Sequence, residues 1–165
     1  MDTKSQVRIL VDTNVWLDRF IPGRSGAETA GRFFARCAED GVMLLCPPHT
    51  IQDVFFQVSM EAKRWVRESE GGISDNWARA INRHAWDRIH DLQELATVAG
   101  MSQGDVWLAE KYRVLHDDFE DDLVIAVAQR VKADYLVTSD KQLIAKSPVA
   151  ALTPADMLTV LEVRR

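Results

Sequence analysis

Long apolar runs are missing from this chain: its hydrophobic stretches are short and broken by charge, so none reads as a membrane span. Residues Met1 to Gln6 carry no apolar h-region, and the expectation is a cytoplasmic protein with no membrane partner. Cysteine is scarce. Cys37 and Cys46 form no CxxC and have no histidine at ligand spacing, which argues against zinc and leaves two reduced core thiols. Neither GxGxxG nor GxxxxGK(S/T) occurs, so no dinucleotide site or P-loop is expected. There is also no internal repeat and no low-complexity tract.

A basic excess is absent as well, since the formal charge is −5. Its distribution matters more than its sum. Residues 105–122 hold seven acids against Lys111 and Arg113, which accounts for the whole excess. The stretch Lys63 to Arg88 carries Lys63, Arg64, Arg67, Arg79, Arg83 and Arg88, with Trp65, Trp77 and Trp86 among them. That composition suits a phosphate-binding rim beside an acidic centre. It suits a solvated helix face equally.

What remains is enough for one domain, residues 1–165, with 47% hydrophobic residues to build a core. Val7 to Val11 reads as a strand, followed by a short helix to about Phe20, and Ala27 to Glu39 as a helix. Val42 to Cys46 is a second strand. After Pro47-Pro48, Thr50 is placed to cap a helix whose apolar stripe is Ile51, Val54, Phe55, Val58, Ala62 and Trp65. Ser74 is an N-cap for a helix continuing to about Val98, and Ser102 with Asp105 makes a capping box for the next, to about Tyr112. Asp121 opens a helix that is apolar nearly all round and therefore buried. Tyr135 to Thr138 is a strand, Val149 to Leu152 a short last one, and Thr153-Pro154 starts a final helix. Strands alternating with helices predict an α/β fold with a mainly parallel sheet covered on both faces.

In that frame four carboxylates, Asp12, Asp53, Asp121 and Asp140, stand at segment boundaries. Asp12 ends the first strand and Asp140 follows the strand Tyr135 to Thr138. Ligands of open α/β sheets bind outside the carboxyl ends of the strands, so these two acids are expected at one edge. Each also has a plain reading as a helix cap or a first-turn acid. Acids gathered without bases favour a hard cation, Mg²⁺ or Mn²⁺, bound through oxygen.

The segment ILVDTNVWLD, Ile9 to Asp18, and the long segment DFEDDLVIAVAQRVKADYLVTSD, Asp118 to Asp140, resemble motifs of PIN-domain ribonucleases of the VapC toxin type. The resemblance covers nearly the whole chain and implies a PIN-like three-layer sandwich. It implies that Asp12, Asp53, Asp121 and Asp140 are catalytic, with Asp12, Asp121 and Asp140 as metal ligands for Mg²⁺ or Mn²⁺. Asn14, Thr138 and Ser139 match polar positions beside the acids and, with Arg79 and Arg83 of the basic stretch, are the expected substrate contacts. In PPHTIQDVFFQV, Asp53 replaces the family's usual Glu and is one methylene shorter. Asp122 stands where a small residue is common and would add charge toward a second ion. His49, close to Asp53 in sequence, reads as a helix-entry or surface residue. The implied partners are RNA, a small antitoxin protein and a second copy in a homodimer. The homodimer has weak further support in the adjacent Phe33 and Phe34 and in Trp16, Trp65, Trp77, Trp86 and Trp107, an apolar surface that one domain would not bury entirely.

Rival readings meet misfits. A haloacid-dehalogenase-type phosphatase also follows a strand with Asp and uses Mg²⁺, but it needs a second Asp two residues on, where this chain has Asn14. A phosphate-accepting signalling domain needs an acceptor after a middle strand, where Cys46-Pro47-Pro48 stands. A PIN-like binding module without activity is the non-enzymatic alternative, although all four acidic positions here are acidic.

Overall fold

The computed structural model describes residues 6–164, apart from the side chain at 116; of the stretch Met1 to Gln6 read above, all but Gln6 lies outside them. The strands are β1 (Arg8–Val11), β2 (Met43–Cys46), β3 (Thr97–Val98), β4 (Tyr135–Val137) and β5 (Ala151–Leu152). They form one sheet in the order β3-β2-β1-β4-β5, with every pairing parallel. The helices are α1 (Thr13–Phe20), α2 (Ala27–Glu39), α3 (Pro48–Glu70), α4 (Asp75–Leu95), α5 (Gln103–His116), α6 (Phe119–Arg130), α7 (Lys141–Lys146) and α8 (Pro154–Val163).

Side chains of a strand alternate between faces, and β1 shows how that creates three layers. Ile9 and Val11 enter one apolar cluster with α1, α2, α3, α4 and α8; Leu10 enters another with α6 and α7. Leu44 and Val137 join the first, Leu45 and Leu136 the second. Both faces of the sheet are thus covered, as a parallel sheet requires. α6 is buried continuously from Asp122 to Ala128, which explains why its sequence lacks a polar stripe. Cys37 and Cys46 are buried in the first cluster as free thiols, and burial pushes both up to about 12. Among the described residues no helix is long and apolar enough to cross a membrane.

Several local expectations are corrected. α3 starts at Pro48, not after Thr50, because Thr50 is buried with its hydroxyl 3.0 Å from that of Thr13, which ties the start of α3 to the start of α1. α4 ends at Leu95, and Thr97–Val98 pairs with β2 instead of prolonging the helix. Asp118, not Asp121, caps α6 and accepts from the amides of Glu120 and Asp121. Phe33 and Phe34 are both buried, since α2 packs on α1 and α8 and Phe34 meets Trp16 with ring centroids 4.5 Å apart. Trp16 is buried too, whereas Trp65, Trp86 and Trp107 are exposed. α3 leaves through Gly71 at φ 73°, a left-handed C-cap that a side chain would strain.

Candidate active site

The chain runs β1, β2, β3 to one side and returns to β4, β5 on the other, so the sheet reverses direction of growth between β1 and β4. Their carboxyl ends splay apart there, which makes the natural crevice of an open sheet. Asp12 leaves β1 at that point, 5% exposed, with its amide bonded to the Val137 carbonyl at 2.9 Å. Thr138, Ser139 and Asp140 leave β4 beside it.

A dense polar network fixes this corner. Asp12 Oδ1 accepts from the Thr13 amide at 2.7 Å, and Oδ2 accepts from Thr138 Oγ1 and Asn14 Nδ2, both at 2.7 Å. Asn14 also donates to Thr138 Oγ1 at 3.1 Å and accepts from the Ser139 amide at 3.0 Å. The Asp140 amide donates to Thr138 Oγ1 at 3.0 Å, while Asp140 Oδ1 caps α7 by accepting from the amides of Gln142 and Leu143. Thr138 is fully buried, so its hydroxyl serves the two acids from within the protein.

Electrostatics extends the cluster beyond these bonds. Burial pushes the Asp12 carboxyl up from its ordinary value; the bonds from Thr138 and Thr13 and the nearby His49 oppose that, and the charge of Asp140 adds to it. Glu120, in the first turn of α6, is pushed up by burial and then by the charges of Asp53, Asp12 and Asp118. His49 is pushed down by burial against the fields of Asp53 and Asp12, and both of its ring nitrogens are buried without a hydrogen-bond partner. Asp12, Asp53, Glu120, Asp140 and His49 therefore share one neighbourhood, assembled from β1, α3, α6 and the β4–α7 turn.

Glu120 is the one of these that the sequence patterns leave out. Glu120 was overlooked because the helix was started at Asp121; with the true start at Phe119, residues on α6 step about 100° each, so Glu120 and Asp122 lie about 200° apart. Asp122 is accordingly turned the other way, into a cavity of about 370 Å³ between α5 and α6 with Val106, Ala109 and Arg113. The expectation that it charges the acidic centre is corrected. His49 is the helix-entry residue of the two readings: half-buried, it stands in the first turn of α3, four positions before Asp53, so the two share one side of the helix. Asp121 is half-buried in the first turn of α6. Arg79 and Arg83 are exposed on α4, where Arg79 donates to Asn76 Oδ1 at 2.6 Å.

The PIN domain family matches residues 8–142, a span that includes β1, the acids and α7's first turn. The chain belongs to the PIN-domain family. No curated protein shows significant sequence similarity to this PIN domain. Among solved structures it is similar to VapC20 of Mycobacterium tuberculosis, a sarcin–ricin loop cleaving toxin: 18% identity over 86% of this chain and 97% of that one, TM-score 0.60. It is similar to VapBC2 of Rickettsia felis bound to a promoter DNA fragment, at 10% identity over 89% and 98% of the chains, TM-score 0.63. A toxin–antitoxin complex from Klebsiella pneumoniae is 19% identical over 88% and 97%, TM-score 0.57. At these identities the likeness establishes the fold, the α/β three-layer sandwich.

The acidic corner suits a hard divalent cation. Its donors are carboxylate oxygens, and the raised values at Asp12 and Glu120 record burial first and then the charge of neighbouring acids, which a cation would offset. Among the described residues no group of three or more His, Cys, Asp or Glu converges on one point as a finished metal cage.

Proposed function

We propose that this PIN domain is a divalent-metal-dependent endoribonuclease, the toxin of a toxin–antitoxin pair. The observation that supports the reading is the pair Asp12 and Asp140, joined through Thr138 at the β1/β4 crevice, with Asp53 and Glu120 near enough for their charges to act there. Asp12, Asp121 and Asp140 would hold Mg²⁺ or Mn²⁺. Bound there, the ion supplies charge for the phosphoryl oxygens and acidifies a water. Asp53 would orient that water, with Glu120 completing the negative wall. Asn14 and Thr138 hold the Asp12 carboxylate in one rotamer, so their part is positioning, and the exposed Ser139 borders the substrate path.

The named solved structures include toxin–antitoxin complexes, which supports a small antitoxin as partner; a homodimer is proposed as the working form. Exposed Trp65, Trp107, Val114 and Phe119 offer apolar surface for such contacts. The cytoplasm, where RNA is met, is the expected place of action.

Cleavage of a panel of RNA oligonucleotides in Mg²⁺, in Mn²⁺ and in EDTA tests the proposal. Metal-dependent products with the wild type, reduced by orders of magnitude in Asp140→Asn and Asp121→Asn, support it. RNA bound but uncut in both metals assigns the inactive binding module instead.

A further inference from the structure

Trp86 on α4 is 59% exposed, yet its ring is held: Phe55 of α3 meets it edge to face, with centroids 5.3 Å apart and planes at 66°. Together with Pro48, Ile51, Gln52 and Ile89 these rings wall an open cavity of about 340 Å³. Pro48, Ile51, Gln52 and Phe55 fall at i, i+3, i+4 and i+7 of α3, one stripe of the helix. His49 and Asp53 form the neighbouring stripe, turned by about 100°. The cavity and the acidic centre thus share the first two turns of one helix.

One turn to either side of Trp86 the residues are neutral or basic, although Asp87 directly follows it. Trp86 has Asn82 and Arg83 one turn before it and Ile89 and His90 one turn after, with no acid among them. Arg83 and His90 are both exposed. A flat aromatic face flanked by the Arg83 guanidinium and the His90 ring suits an anionic ligand that carries a flat ring, and a nucleotide is such a ligand. Gln52 lies at the same wall, whose surface is almost wholly apolar, as the faces of a nucleobase require.

We infer that Phe55, Trp86 and Gln52 form a pocket for one unpaired nucleobase of RNA, with Arg83 and His90 toward its phosphates, one nucleotide or so from the phosphodiester that reaches the acidic centre. The part about the scissile bond rests on the nuclease reading; the part about base binding does not. A duplex keeps its bases stacked on one another and cannot fill the pocket.

The test is binding of a fluorescein-labelled single-stranded RNA octamer, and of the same strand in duplex, by fluorescence anisotropy in EDTA, so that nothing is cut. Trp86→Ala should raise Kd for the single strand about tenfold and leave the duplex nearly unchanged, a size in keeping with one base–aromatic stack. Trp86→Phe should retain most of the affinity. Val163→Ala, at an exposed apolar side chain at the end of α8, should bind like wild type. Because Trp86 is exposed, its variants are expected to fold, which circular dichroism checks. Unchanged single-strand affinity in Trp86→Ala overturns the inference. So does a result in which Trp86→Ala alters only self-association or antitoxin binding, since that makes the face a protein interface. Loss of single-strand affinity in a protein that cuts no RNA in Mg²⁺ would uphold the pocket and reject the nuclease.

Discussion

Thr138 Oγ1 donates to Asp12 Oδ2 at 2.7 Å and accepts from the Asp140 amide at 3.0 Å, so one buried hydroxyl joins the acids that end β1 and β4. Removing it leaves Asp12 short of a donor and the Asp140 amide short of an acceptor. Thr138→Val is expected to cost about 1–3 kcal/mol of stability and to push the Asp12 carboxyl still higher, because the Thr138 bond lowers it. Thr138→Ser should restore both. Thermal denaturation of the two variants checks this, and equal melting of Val and Ser forms would refute it.

The pH dependence of stability should separate two buried acids. The Asp12 carboxyl is raised above its ordinary 3.8, so the stability it contributes is full below that value and is lost as pH rises through the raised one. Asp12→Asn should therefore melt a few degrees higher than wild type at pH 7 in EDTA, with the gap closing near pH 4 and on adding Mn²⁺. Asp105 behaves oppositely. Burial pushes it up, but its bonds from Arg130 and Ser102 outweigh that and hold it below the usual range, so its contribution is present at neutral pH and lost in acid. Asp105→Asn should destabilise at pH 7 and by progressively less as pH falls below 3.8.

His49 keeps both ring nitrogens buried and unbonded, an arrangement that costs stability. His49→Leu is expected to raise Tm by about 2–4 °C at neutral pH, the shift for roughly 1 kcal/mol in a chain of this size. Burial depresses the imidazole below 6.5, so the native form resists protonation and wild type should lose further ground to the variant as pH falls through 6. A variant that melts lower than wild type at both pH values would show that the ring is needed for packing.

Glu120 and Asp122 are neighbours in sequence on opposite sides of α6, and Mn²⁺ titration should tell them apart. Glu120→Gln removes a charge that feels Asp53 and Asp12, so it should weaken Mn²⁺ binding several-fold. Asp122→Asn, in the α5–α6 cavity, should leave it within about twofold. Equal losses would place both on the metal side.

Arg79 and Arg83 are exposed on α4 and tested by salt. Replacing both with Ala should weaken RNA binding at low salt and reduce the slope of log K against log salt by roughly one unit per lost phosphate contact. An unchanged slope would return them to the solvated face.

The sequence by itself determined the elements whose signals are local. Short apolar runs and helical patterning marked β1, β2, β4 and most helices, and the capping residues Ser74, Ser102 with Asp105, and Thr153 act as the chemistry of their side chains dictates. Alternation of strand and helix was enough to bring Asp12 and Asp140 to one edge. Only the tertiary structure decided what depends on distant partners. Thr97–Val98 is a strand because Leu45 and Cys46 lie beside it; its own exposed residues give no such sign. The phase of α6, and with it whether Glu120 or Asp122 faces Asp12, turned on the cap at Asp118, and a two-residue slip in a helix moves a side chain about 200°. Phe33 and Phe34 are both buried because α1 and α8 flank α2 on different sides, and His49 meets Asp12 because Thr50 binds Thr13 across 37 residues of chain. Contacts made by through-space packing leave no periodic trace in the segments that make them, so they became visible only once the chain had closed on itself.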